Sequence, residues 1–224
     1  MKKNKQTNIM LAGVATLVLG GFGAGAAHAT VLAQFPLNAD FQATNLAPNI
    51  ASAVIDSSQL STSYINNDGY GSVGEFYPNS GGTSPDNAIS TNSYFSVTLT
   101  AVGGQMLNLG EFDYAVAKGG SSDPRGYAIY DSLDGYTTAL KSVQLPTGAN
   151  TAPVPDSIML DNSFATASDV TFRVYVYTPS STAYSVDFSN LSFATPAAVP
   201  EPGTLALFGL GLAGLGLTRR RKKS

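Results

Sequence analysis

Tyr94-Phe95-Ser96-Val97-Thr98-Leu99-Thr100-Ala101 is the stretch that decides the fold class. Phe95, Val97, Leu99 and Ala101 fall on one face, and Tyr94, Ser96, Thr98 and Thr100 on the other. Period-2 alternation of this kind marks a strand with one buried face. The same pattern returns in Val170 to Tyr177, where Val170, Phe172, Val174 and Val176 oppose Thr171, Arg173, Tyr175 and Tyr177. Phe112, Tyr114 and Val116 alternate with Glu111, Asp113 and Ala115, and Tyr184, Val186 and Phe188 with Ser185 and Asp187. The register slips at Ser189-Asn190 before Leu191 and Phe193, as a bulge requires.

Working outward, further strands are expected at Val31–Phe35, Ala51–Ile55, Gly126–Asp131, Leu140–Leu145 and Ser157–Leu160. Turn chemistry separates them, at Asn67-Asp68-Gly69, Gly103-Gly104, Gly119-Gly120-Ser121, Asp134-Gly135 and Thr178-Pro179-Ser180. Many short strands at this spacing predict an all-β antiparallel sandwich of two sheets, jelly-roll-like. Tyr64 to Ile89, rich in Gly, Asn, Ser and Pro, reads as a long loop. No internal repeat is present. Thr30 to Pro196 is 167 residues, enough to bury roughly 68–70% of the unfolded surface without disulfides.

The chain has 224 residues, no Cys, no Trp and one His. Its formal charge of −3 conceals segregation: Lys2, Lys3 and Lys5 open the chain, and Arg219, Arg220, Arg221, Lys222 and Lys223 close it. Between Thr30 and Pro196 only Lys118, Arg125, Lys141 and Arg173 are basic, against 14 acidic residues, a formal charge of −10. So acidic a domain repels phosphate backbones and is no nucleic-acid binder.

The N-terminus reads as a secretory signal peptide over residues 1–29. A lysine-bearing start, the apolar run Ile9 to Ala27, and Ala27-His28-Ala29 before Thr30 give the three-part pattern cut by signal peptidase. His28 leaves with that segment. Without His or Cys, the mature chain has no Ser-His-Asp or Cys-His nucleophilic site and no thiolate or imidazole zinc site.

At the other end, Thr195 to Pro200 is a Pro/Ala linker beyond the domain at 30–194. Val199-Pro200-Glu201-Pro202-Gly203 follows, then the apolar segment 204–217 and the basic run 219–223. A single helix over those 14 apolar residues spans about 21 Å at ~1.5 Å per residue, short of a ~30 Å hydrocarbon core. That suits a transient membrane stop, with the positive charges cytoplasmic. Pro200-Glu201-Pro202, the apolar segment and the Arg-rich terminus together resemble the PEP-CTERM sorting signal over 199–224. The resemblance implies an exported protein of a Gram-negative bacterium. It would be processed by an exosortase, a membrane-embedded cysteine transpeptidase-like enzyme, and destined for the cell surface or an exopolysaccharide or biofilm matrix. Glu201 is then a recognition element for that enzyme.

Arg125-Gly126-Tyr127-Ala128-Ile129-Tyr130, Ser132-Leu133-Asp134-Gly135-Tyr136 and the strand Val170 to Tyr177 resemble the β-sandwich body that many PEP-CTERM proteins carry ahead of the signal. Arg173 is expected to pair with a carboxylate such as Asp131 or Asp187. Of possible chemistries, glycoside cleavage needs only two carboxylates. Glu75, Glu111, Asp113, Asp123, Asp131 and Asp134 are candidates, but no spacing singles out a pair, and the expectation is a non-enzymatic protein with no cofactor. Calcium suits so many oxygens better, through Gly119 to Asp123 or Asp131 to Asp134, although neither matches an EF-hand loop, and the plainer reading is solvated loop Asp. Lys118 and Lys141 read as ordinary strand-end lysines. All eleven Tyr lie in the mature domain. Arg173, Tyr175 and Tyr177, with Tyr130 nearby, form either a glycan-stacking platform or a face covered by another element. Two functions therefore stand: a structural surface or matrix protein, and a carbohydrate-binding module in the same place.

Overall fold

The computed structural model describes residues 29–37, 40–67, 71–78, 84–118, 125–146, 152–178 and 184–197. In chain order the strands are β1 (Val31–Phe35), β2 (Asn45–Leu46), β3 (Ile50–Asp56), β4 (Ser61–Asn67) and β5 (Gly71–Tyr77). Helix α1 (Pro85–Ser90) precedes β6 (Tyr94–Ala101), β7 (Glu111–Lys118), β8 (Arg125–Asp131), β9 (Lys141–Leu145) and β10 (Val154–Met159). Helix α2 (Asn162–Thr166), β11 (Asp169–Tyr177) and β12 (Val186–Ala194) complete the order.

Two antiparallel sheets result. One runs β10-β7-β12-β1-β2, with the β4–β5 hairpin joined to β12 through β5; the other runs β3-β6-β11-β8-β9. The seams follow the alternation. Phe95, Val97 and Leu99 from β6 and Phe172 and Val174 from β11 face Phe35, Phe76, Phe112, Phe188 and Phe193 of the other sheet in one buried cluster. Phe76 stacks on Phe95 at 4.0 Å and Phe112 on Phe193 at 4.4 Å between centroids. These rings bury large apolar areas in a core that stands without disulfides.

The slip expected at Ser189-Asn190 is present. Pairing with β7 shifts register between Ser189 and Ser192, and Asn190 takes a positive φ of 52°. The bulge divides β12 into two halves. Val186 to Phe188 pair with β5, whereas Leu191 to Ala194 pair with β1. Thr30 and Thr195 bond each other just outside the ladder, N–H of Thr195 to the Thr30 carbonyl at 2.9 Å.

The reading of Tyr64 to Ile89 as a loop is corrected. The end of β4, all of β5 and all but the last residue of α1 fall inside it. β5 lacks visible alternation because both its faces are covered: Val73 and Phe76 are fully buried, and Glu75 is 7% exposed. β10 likewise begins at Val154, earlier than expected, with Pro155 within it. Proline is tolerated there because β10 is the edge of its sheet. No helix among the described residues is long and apolar enough to cross a membrane.

Candidate functional site

The outer face of the β3-β6-β11-β8 sheet brings together most of the side chains singled out above. Register places Asp56, Ser96, Arg173 and Tyr130 in one row across four strands, with Tyr94 opposite Tyr175 in the next. Tyr175 and Tyr177 are covered: they are 4% and 7% exposed and cluster with Ala88 of α1. Ser84 caps that helix, its hydroxyl accepting from the Asn87 N–H, and Pro85 presets its first turn. Six residues suffice to lay Ala88 on the tyrosines. Neither ring is exposed as a stacking surface in this structure.

Arg173 does not pair with Asp131 or Asp187. Its guanidinium lies 3.8 Å from the Tyr136 ring centroid and 4.7 Å from that of Tyr94, and it also interacts with Tyr175. Tyr94 and Tyr130 in turn contact Tyr175 at 5.1 and 5.6 Å. Tyr136 reaches this position from the β8–β9 turn, where Gly135 and Tyr136 have φ of 72° and 62°. A left-handed tyrosine is an unfavourable conformation. Here it is held by the Tyr136 N–H donating to the Asp131 carbonyl at 2.9 Å. Ser96, Thr98 and Thr171 line the rest of the face, half-buried, with the Thr98 and Thr171 hydroxyls bonded at 2.9 Å. Sequence reasoning missed Tyr94 and Tyr136. Tyr94 stood on the polar side of the alternation already quoted, but Tyr136 had no signal beyond its place in a turn.

The carboxylates of Asp131 and Asp134 are engaged locally. Asp131 Oδ1 accepts from the N–H of Leu133 at 2.8 Å, and Asp134 accepts from the N–H of Thr137 and of Thr138 at 3.0 and 2.8 Å. Gly119 to Asp123 lies outside the described residues. Among the described residues no three acidic or imidazole side chains gather as a metal-binding group.

A second polar cluster sits at the cleft between edge strands β9 and β10. Lys141 Nζ meets Asp156 Oδ1 at 2.8 Å, while Tyr127 and Tyr114 hydroxyls approach Oδ2 at 3.2 and 3.3 Å. The adjoining cleft, about 280 Å³, is lined mainly by Val116, Val143, Leu145 and Val154. On the far side of β7, burial and the nearby Glu111 push Asp113 up to about 6.

A third cluster is buried. Arg125 is fully buried, its Nη1 donating to the Ser185 carbonyl at 2.8 Å and its guanidinium lying 4.7 Å from the Tyr184 ring. Asp187, also fully buried, stands directly across the β5–β12 pair from Glu75. The Ser185 hydroxyl donates to Asp187 Oδ1, and Tyr77 donates to Glu75 Oε2 at 2.9 Å. Burial, reinforced by Glu75 and opposed by the Ser185 bond and the Arg125 charge, pushes Asp187 up to about 7. Glu75 and Asp187 are 112 residues apart, so no local pattern announces the pair.

Of the terminal features, Ala29 and Thr30 are described, with β1 starting one residue later. Ala27, Val199 to Gly203, the segment 204–217 and Arg219 to Lys223 lie outside the described residues. Residues 198–222 match the family model of the PEP-CTERM protein-sorting motif. The chain carries a PEP-CTERM sorting signal. No curated protein matched it in a sequence comparison. Among solved structures, a variant of the family 29 carbohydrate-binding module CBM29-2, complexed with cellulohexaose, is similar at 12% identity. That match covers 75% of this chain and 91% of the module, with a TM-score of 0.38. CBM27-1 of Caldicellulosiruptor saccharolyticus, in complex with mannohexaose, gives 12%, 77%, 99% and 0.36 in the same order. A Stig cyclase, Fisc, from Fischerella sp. TAU gives 12%, 75%, 100% and 0.40. At these scores the likenesses carry no inference about ligand or activity.

Proposed function

We propose that this chain is a non-catalytic exported protein, freed of residues 1–29 by signal peptidase and processed by an exosortase at its PEP-CTERM signal. Residues 204–217 would hold it briefly in the inner membrane, with Arg219 to Lys223 as the cytoplasmic stop. The sandwich would then reside at the surface or in the exopolysaccharide matrix of a Gram-negative biofilm. The observation that carries this reading is the sorting motif at 198–222, four residues after the last ladder residue, Ala194. The intact mass of the protein recovered outside the cell tests it. The expected mass runs from Thr30 to the region of Pro200–Glu201, with or without an added group. A mass retaining 204–224 would sink the sorting step.

A second reading, a carbohydrate-binding sandwich, is favoured by one observation: Arg173 clasped between Tyr94 and Tyr136 on a half-exposed face of hydroxyls. Aromatic rims with convergent hydrogen-bonding groups suit sugar rings.

A further inference from the structure

Four basic residues serve the acidic domain, and three are described with their side chains. Lys141 is matched to Asp156, and Arg125 is buried. Arg173, half-exposed like Lys141, meets rings instead of a carboxylate, and its guanidinium is also hydrogen-bonded to Tyr175. Lys141–Asp156 is the one ion pair among the described residues. Asp56, in the row of Arg173 but two strands away, accepts from the Ser58 N–H at 2.9 Å. Rings packed on a guanidinium occupy its faces and leave its edges. Those edges carry the N–H donors, in a planar fork whose best complement is a carboxylate accepting two parallel bonds. The clasp also fixes the fork, so little rotamer freedom remains to be lost on binding.

We propose that Arg173, held by Tyr94 and Tyr136, is a recognition site for the carboxylate of an acidic sugar, a uronate unit of an exopolysaccharide. This deepens the carbohydrate-binding reading and rests on it. Tyr136 flanks the charge, and the Ser96, Thr98 and Thr171 hydroxyls extend the face along the sheet. The charge of −10 on the domain opposes approach of a polyanion, so recognition comes from contact and not from the long-range field.

The test uses the full chain and two probe sets: oligomers of polygalacturonate and alginate, and their neutral methyl esters. Calorimetry should show the acid forms bound about tenfold or more tighter than the esters, the range expected for losing a charge-assisted pair of hydrogen bonds. Arg173→Gln should abolish that preference. Arg173→Lys, which keeps the charge but not the fork, should lose most of it. Each variant is checked against the wild-type melting temperature; if Arg173→Gln unfolds, Arg173→Lys carries the comparison. Equal binding of acids and esters, or an acid preference that survives the folded variants, overturns the proposal while leaving glycan binding intact. No binding of any probe overturns both.

Discussion

Replacing Asp187 by Asn should make the protein more stable at alkaline pH and leave it nearly unchanged in acid. The carboxyl is fully buried opposite Glu75, in the middle of the three residue pairs that attach β5 to β12. Arg125, Tyr77 and Ser185 also face it, and its Oδ2 has no hydrogen-bond partner. Among the described residues two buried carboxylates stand against one guanidinium, and a proton on Asp187 removes the excess negative charge. Its folded value of about 7 lies above the ordinary 3.8, so the native state holds the proton longer than the unfolded chain. Stability from this group is therefore complete below about pH 4 and is lost as pH rises through 7. At about 1.4 kcal/mol per pH unit, the full loss is about 4 kcal/mol. Asn is neutral at every pH and keeps an acceptor for the Ser185 hydroxyl, so Asp187→Asn should escape that loss. Urea midpoints by circular dichroism from pH 4.5 to 8.5 measure it, the chain having no Trp for fluorescence. Wild-type and variant profiles should diverge steadily with pH. Parallel profiles would refute the reasoning, as would a variant weaker at every pH by the same amount.

Phe76→Ala should cost about 3–5 kcal/mol in urea unfolding, because the ring is fully buried and stacks between Phe41 and Phe95. A loss under about 1 kcal/mol would mean that the β4–β5 hairpin does not anchor the core. Asp156→Asn should cost about 1 kcal/mol or less near neutral pH, since both partners of the Lys141 pair are roughly a third exposed. Burial raises the Asp156 value, but the bonds from Lys141, the Ser157 N–H and Tyr127 outweigh it and hold it below 3.8. Its contribution is thus present above pH 4 and vanishes in stronger acid. Wild-type and Asp156→Asn midpoints should accordingly converge below pH 3.

Alternation was legible wherever one face of a strand meets the core and the other meets water. β6 is bounded by Tyr94 and Ala101 as the pattern requires, and the Ser189-Asn190 slip is a real bulge. β5 hid because burial on both faces erases alternation, and its Glu75 mimics a loop residue. The short α1 hid because six residues are too few for helical periodicity, yet it decides which tyrosines are accessible. Strand pattern put Arg173, Tyr175 and Tyr177 on one face correctly. What it lacked was the cover on that face, contributed by a segment about 90 residues earlier, and the ring of Tyr136, delivered by a turn with positive φ. Side-chain partners set by tertiary approach, here Arg173 with Tyr94 and Tyr136 and Arg125 beside Asp187, carry no local signature.

The two arginines show how the same charge is used differently by depth. Arg125 is taken wholly out of water, where a guanidinium is tolerable only beside acceptors and compensating charge; the Ser185 carbonyl accepts from it, and it lies beside Asp187, whose carboxyl faces that of Glu75. Arg173 stays at the surface, where a carboxylate partner would contribute little and rings can hold the side chain without neutralising it. A domain with 14 carboxylates had no shortage of anions to place beside Arg173. It meets two tyrosine rings instead and bonds Tyr175, so no carboxylate of the described residues takes up its fork, which is the place the uronate proposal fills.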